Sequence, residues 1–286
     1  EAEFENRNIR IDIRPMRVTT LLREAFDWSG NLFPMPELFP EKYNNSNFKE
    51  EQLLIKIRKW YTDMYGDKIK IDITYGYAPQ KIRSGVYKVR IPFGFGTIKL
   101  HADPNLSKFK QRPISSFNIF DQIEGVTQEL LNSLTRAELE DHFNQYRAAY
   151  TALSWRRLLP QTILIAKACD DYDSSTTELL DFRYGQSRWS SLQAVEKLLK
   201  GLLQIKGTVY PTKGPSGHSL QIIANILHEA HGIKIADDLI DKASCSTNSR
   251  YENKSTEHQA LTANRAVLGI INELKENPKI DSFLSV

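Results

Sequence analysis

The residues of this chain best suited to chemistry lie in its second half. Arg183, Tyr184, Arg188 and Trp189 form a basic-aromatic cluster, and Lys197 and Lys200 follow. Such a set can hold single-stranded nucleic acid by charge and stacking. Solvated helix faces also carry lysines routinely, and that is the commoner role. Arg250 and Tyr251 stand side by side. An arginine's planar fork can grip a phosphate, and a tyrosine ring can stack on a base. The same pair can instead cap a helix and fill the end of a bundle. His218 opens a helix, where it can touch a ligand or simply satisfy first-turn backbone groups. His228 and His231 sit three apart and share a helix face, a spacing able to hold a metal. No third ligand stands at a matching offset, since Glu229 points elsewhere, so we expect no metal and no cofactor. Asp170, Asp171 and Asp173 can attract a cation but read as a solvated helix break. In the first half, the FGFG run lacks the lysine-serine and the strand-to-helix setting of a phosphate loop. No Asp-x-Asp pair follows a Gly-Ser, which argues against nucleotidyl transfer.

The elements that must position these residues are helices. From Ser187 to Gly207, Leu192, Val195, Leu199 and Leu202 recur at helical spacing, with Trp189 one turn before. Gln193, Glu196, Lys197 and Lys200 take the opposite side, which predicts a wet face. Glu196 and Lys200 are spaced to support the helix as an i,i+4 pair. Gly207 supplies a left-handed stop. After a loop rich in Gly and Pro, a second helix starts near His218, with Leu220, Ile223, Leu227 and Ala230 as its apolar row and Gly232 at its end. This hairpin has dry flanks that require partner helices.

The words LQAVEKLLKGLL, then GHSL after a Gly/Pro loop, then RYEN before an Ala-rich helix, resemble the HEPN domain family. The resemblance spans roughly residues 160–280 and implies an up-and-down helical bundle. Members serve as nucleotide-binding modules and as RNA-cutting toxins and defence proteins. The resemblance therefore implies a binding module for nucleotide, RNA or a protein partner in a defence or stress system, with Arg250 and Tyr251 as its Arg-Tyr pair. Arg188, Trp189, Lys197 and His218 are the further candidate contacts. Nuclease members carry R-x4-6-H near the start of the last helix, where arginine stabilises phosphate charge and histidine moves a proton without metal. Arg250 and His258 have seven residues between them, one too many. Arg136 and His142 fit the spacing but precede the bundle, in an acidic turn. A metal-independent endoribonuclease using Arg250 and His258 is thus the alternative. A scaffold that forms homodimers through the hairpin, with no small ligand, is the third reading.

Across its 286 residues the chain balances 38 basic against 35 acidic residues, so any basic patch must be local. No apolar run approaches a membrane span. Cys169 and Cys245 lack metal spacing and favour a reduced, cytoplasmic setting. The opening EAEF reads as a processing remnant outside the fold. Asn8–Arg14 alternates like a strand, Val18–Phe26 like a short helix. A third segment, starting at Asn47, buries Leu53, Ile57, Trp60 and Met64. Strands are expected at Ile69–Thr74, Val86–Ile91 and Thr97–His101, the last two joined as a hairpin by PFGFG. From Phe117 the period becomes helical. Ile119 to Leu134 forms one stripe, and a capping box at Thr135 and Glu138 restarts the helix. The bundle's first helix runs from Gln161 to Phe182, irregular at residues 173–175, and Ser255 caps the last. The fold class is α+β. A small mixed N-terminal domain (residues 1–115) leads through a helical connector (116–160) to an all-α bundle (161–286).

Overall fold

A computed structural model describes residues 1–7, 9–27, 49–69, 74–94, 97–106, 116–250 and 255–285. It shows an α+β protein with a mainly helical C-terminal part. Two compact units divide the chain, Glu1–Ile73 and Thr74–Val286. The boundary expected at residue 115 falls inside the second unit, as does the whole of the expected connector.

The first unit contains helices α1 (Ala2–Asn6), α2 (Arg14–Phe26) and α3 (Lys49–Tyr65). The strand expected at Asn8–Arg14 is instead a 3-10 turn at Ile11–Ile13 running into α2. Pro15 explains the difference, because its fixed φ suits the first turn of a helix. The EAEF opening also belongs to the fold. Glu1 accepts hydrogen bonds from Tyr61 at 2.7 Å, Tyr65 at 2.7 Å and Arg14 at 2.5 Å. Burial works to raise its pKa, but these three donors hold it down at about 2. On α3 the buried positions are Leu54 and Tyr61, whereas Leu53, Trp60 and Met64 of the expected stripe are exposed. Asn47, its expected cap, and most of the strand expected at Ile69–Thr74 lie outside the described residues.

In the second unit, strands β1 (Thr74–Ile82) and β2 (Gly85–Pro92) form an antiparallel hairpin, with Ile82 opposite Gly85. Arg83 in the turn takes a left-handed φ of 55°. The expected β2 alternation holds, with Val89 and Ile91 buried. Its partner is not the strand beyond PFGFG but β1, whose Gly76 and Pro79 conceal it from a propensity reading. Short strands β3 (Lys99–His101) and β4 (Ser116–Asn118) pair in parallel. Residues 117–123, expected to be helical, supply β4, a 3-10 turn and an isolated bridge from Ile123 to Val89.

A short helix α4 (Gln128–Asn132) precedes α5 (Arg136–Trp155), which starts with the predicted capping box at Thr135 and Glu138. The bundle follows as α6 (Ile163–Leu180), α7 (Tyr184–Ile205), α8 (Leu220–His231), α9 (Asp237–Ala243) and α10 (Glu257–Glu276), with a terminal α11 (Ile280–Leu284). Helix α6 runs unbroken through residues 173–175. Asp173 is held by Arg156 at 2.9 Å, and Ser175 faces other buried hydroxyls, so neither residue competes for its own backbone. Gly207 and Gly232 take left-handed φ values of 64° and 68°, as their stop roles require. Thr256, not Ser255, caps α10, in a reciprocal box with Gln259.

Helix α7 is the centre of the unit and packs on α6, α8 and α10. Leu192, Val195, Leu199 and Leu202 are buried as expected. Its opposite side is not wet, because Glu196 and Lys200 are buried too. The hairpin and α5 cover another side of the same core, where Ile91, Tyr146 and Leu153 join the helical residues. Among the described residues no helix is long and apolar enough to cross a membrane.

Candidate functional site

Two polar regions lie along α7. The first lies near its start. Ser187 and Ser191 meet Ser175 of α6 at 3.3 and 2.7 Å, and Asn264 of α10 donates to Ser175 at 3.0 Å and to Thr176 at 3.1 Å. These small side chains clamp three helices together. On the adjoining side, Arg188 is half-buried and its Nη1 donates to Ser255 Oγ at 3.3 Å, just ahead of α10. Its Nε is buried without a hydrogen bond among the described residues. A 3-10 turn, Thr247–Arg250, packs along α7. Nearby, burial raises the Cys245 thiol pKa, and the Arg188 charge and a hydrogen bond with Ser249 oppose that shift. His258 stands exposed in the first turn of α10. Glu257 beside it is paired with Lys81 at 2.8 Å, which offsets its charge.

The second region lies about 12 Å further along α7, at 1.5 Å of rise per residue. Lys200 Nζ donates to Glu196 Oε1 at 2.7 Å. His218 Nδ1 lies 3.2 and 3.3 Å from the two oxygens of the same carboxylate. Gln193 donates to it at 3.4 Å, and the Lys200 ammonium lies 5.9 Å from the centre of the Tyr210 ring. Beside this group Lys197 pairs with Asp171 of α6. Burial raises the Asp171 pKa, and the hydrogen bond and charge of Lys197 pull the other way. The group ties the loop before α8 to the middle of α7. The His218 ring stays 60 % exposed, while the Glu196 side chain it contacts is only 6 % exposed.

The predicted contacts therefore separate. Arg188 and His258 belong to the region around the start of α10, and Trp189 is half-buried one position after Arg188. Lys197 and His218 belong to the second region and already have acidic partners. Arg250 ends the turn on α7, but its side chain and all of Tyr251 lie outside the described residues, so the pairing of Arg250 with His258 is not visible. His142, of the spacing match with Arg136, is buried and engaged by Gln80 at 3.2 Å. His228 is exposed, and His231 meets Thr208 at 2.7 Å. Among the described residues no three His, Cys, Asp or Glu side chains converge on a metal position. Sequence reasoning missed the burial of Glu196 and Lys200. The signal available was GHSL, whose histidine supplies the third member of the group.

Family models, curated proteins and solved structures were compared with the chain, and none matches.

Proposed function

We propose that the second unit is a binding module for a phosphate-bearing ligand, nucleotide or RNA, held at the start of α10. The observation that carries this is the placement of Arg188. Its half-buried guanidinium leans on Ser255 and has no acidic partner among the described residues. It borders the N-terminus of a 20-residue helix, where backbone N–H groups and the helix dipole favour anions. The neighbouring turn ends in Arg250, and His258 adds an exposed ring. The resemblance of the EKLLK, GHSL and RYEN segments to HEPN domains supports the same reading.

Fluorescence polarisation with labelled single-stranded RNA and with labelled ATP tests it. We expect binding that weakens linearly on a log-log plot against salt. Arg188→Gln should weaken it about tenfold, the equivalent of one charge-assisted hydrogen bond. Absence of any polarisation change with either probe at low salt would overturn the proposal in favour of a scaffold. RNA cleavage in the presence of chelator, lost in His258→Ala, would move it to a metal-independent endoribonuclease.

A further inference from the structure

A cavity of about 170 Å³ lies between the β1–β2 hairpin, α5 and α10. Val89, Ile91 and Leu268 give it an apolar wall, and Gln80, Gln145, Asn272 and Arg265 are its polar members. The size is informative, because an apolar cavity of about 150 Å³ is enough to take benzene.

Two of its amides, Gln80 and Asn272, are incompletely satisfied in the same way. Gln80 is 3 % exposed. Its Nε2 donates to the His142 carbonyl at 3.0 Å and lies 3.2 Å from His142 Nδ1. Its Oε1 is buried and accepts nothing among the described residues. Turning the amide over would place an oxygen against the His142 carbonyl, so the arrangement is fixed and the oxygen keeps no partner among the described residues. Asn272 repeats the pattern. Its Nδ2 donates to Ala148 O at 3.0 Å, and its buried Oδ1 accepts nothing among the described residues. Two amide acceptors without donors are costly in a packed protein. Arg265 supplies the third feature. Its Nη2 donates to Gln145 at 2.5 Å, and it forms no salt bridge among the described residues. Burial lowers its pKa, with Asp141 as the opposing charge. A partly buried guanidinium facing a neutral amide is a receptor for an anion.

We propose that this cavity binds a single-ring aromatic carboxylate carrying a hydroxyl or N–H donor. The ring fills the apolar space, the carboxylate takes Arg265, and the donor reaches an amide oxygen of Gln80 or Asn272. The members that α10 contributes, from Arg265 to Asn272, lie at least two turns along the helix from its start, so the cavity shares no residue with the region proposed there.

The test uses the full chain and 4-hydroxybenzoate as the probe, with binding read by ligand-observed NMR and calorimetry. Benzoate, which lacks the donor, and phenol, which lacks the acid, serve as controls. We expect saturable millimolar or tighter binding of 4-hydroxybenzoate, weakened about tenfold for either control, which is the loss of one such interaction. Arg265→Met should remove the preference for the acid over phenol. Ala148→Leu adds bulk at an exposed lining position and should abolish binding while leaving the circular dichroism spectrum unchanged. The proposal is overturned if wild-type protein shows no saturable binding, or if either variant binds 4-hydroxybenzoate as wild type does.

Discussion

The two halves of α7 solve the burial of polar atoms in opposite ways. Around Ser187 and Ser191 the helix meets neutral hydroxyls and one amide that exchange hydrogen bonds at short range, with only the Asn264 Oδ1 of this group accepting none among the described residues. Around Glu196 and Lys200 it buries a charged pair, in which Lys200 relies on the carboxylate and the carboxylate is also met by His218 and Gln193. The first arrangement can lose a member and keep the rest. In the second, removal of one partner strands a charge in a poorly solvating place. The difference also bears on function. The neutral half leaves its neighbouring arginine, Arg188, without an acidic partner among the described residues, whereas the charged half consumes its lysines in ion pairs.

Breaking the charged half should give the largest effect. Glu196→Ala is expected to cost about 3 kcal/mol in chemical denaturation, because Lys200 is left buried without its carboxylate. Replacing both partners, Glu196→Leu with Lys200→Met, should recover most of that loss. If the double variant is as unstable as the single one, packing rather than charge holds this half together. The neutral half should respond more weakly. Asn264→Ala removes two hydrogen bonds and some volume and is expected to cost about 2 kcal/mol, and Ser191→Ala about 1 kcal/mol. Equal losses from Ser191→Ala and Glu196→Ala would erase the contrast.

The smallest effect is a pH dependence away from α7. Burial lowers the pKa of His142 from 6.5, against the opposing charges of Asp141 and Glu138. The folded state thus prefers the neutral ring, and the unfolded chain binds the extra proton. Stability should be unaffected above the unfolded pKa of about 6.5 and should decline as pH falls below it, levelling off once pH passes under the folded value. Denaturation midpoints of wild type and His142→Gln between pH 7.5 and about 5 check this. The wild-type midpoint should fall the more steeply of the two, and parallel profiles would rule out His142 as the source.

Legibility in the sequence followed how local the governing interaction is. The capping box at Thr135 and Glu138, the stops at Gly207 and Gly232, and the buried row of α7 depend on residues within a turn or two, and each could be read directly. The same local reading failed at Asn8–Arg14, where alternating isoleucines outweighed the helix-starting Pro15. It failed again at β1, where Gly76 and Pro79 look like loop residues. There Gly76 sits at a register shift beneath the Arg156 guanidinium, where a Cβ would come within 2.6 Å of Nη2. That reason lies 80 positions away in the chain. The candidate site was legible only in part: Arg188 and His258, named from the sequence, come to the start of α10, but Lys197 and His218, named with them, lie elsewhere on acidic partners. It was not legible in its grouping, because an i,i+4 pair has the same sequence in water and under a neighbouring loop.

By itself the sequence determined which segments are helical in the second half, where most of them start and stop, and that α7 must be surrounded by partners. These follow from backbone hydrogen bonding and side-chain periodicity, which act over a few residues. Only the tertiary structure decided that the strands from Thr74 onward belong with the helices, that Glu196 and Lys200 lie inside, and that Gln80, Asn272 and Arg265 share one cavity. Burial and pairing depend on what comes to rest against a residue, and that is set by the packing of the whole unit rather than by its neighbours in the chain.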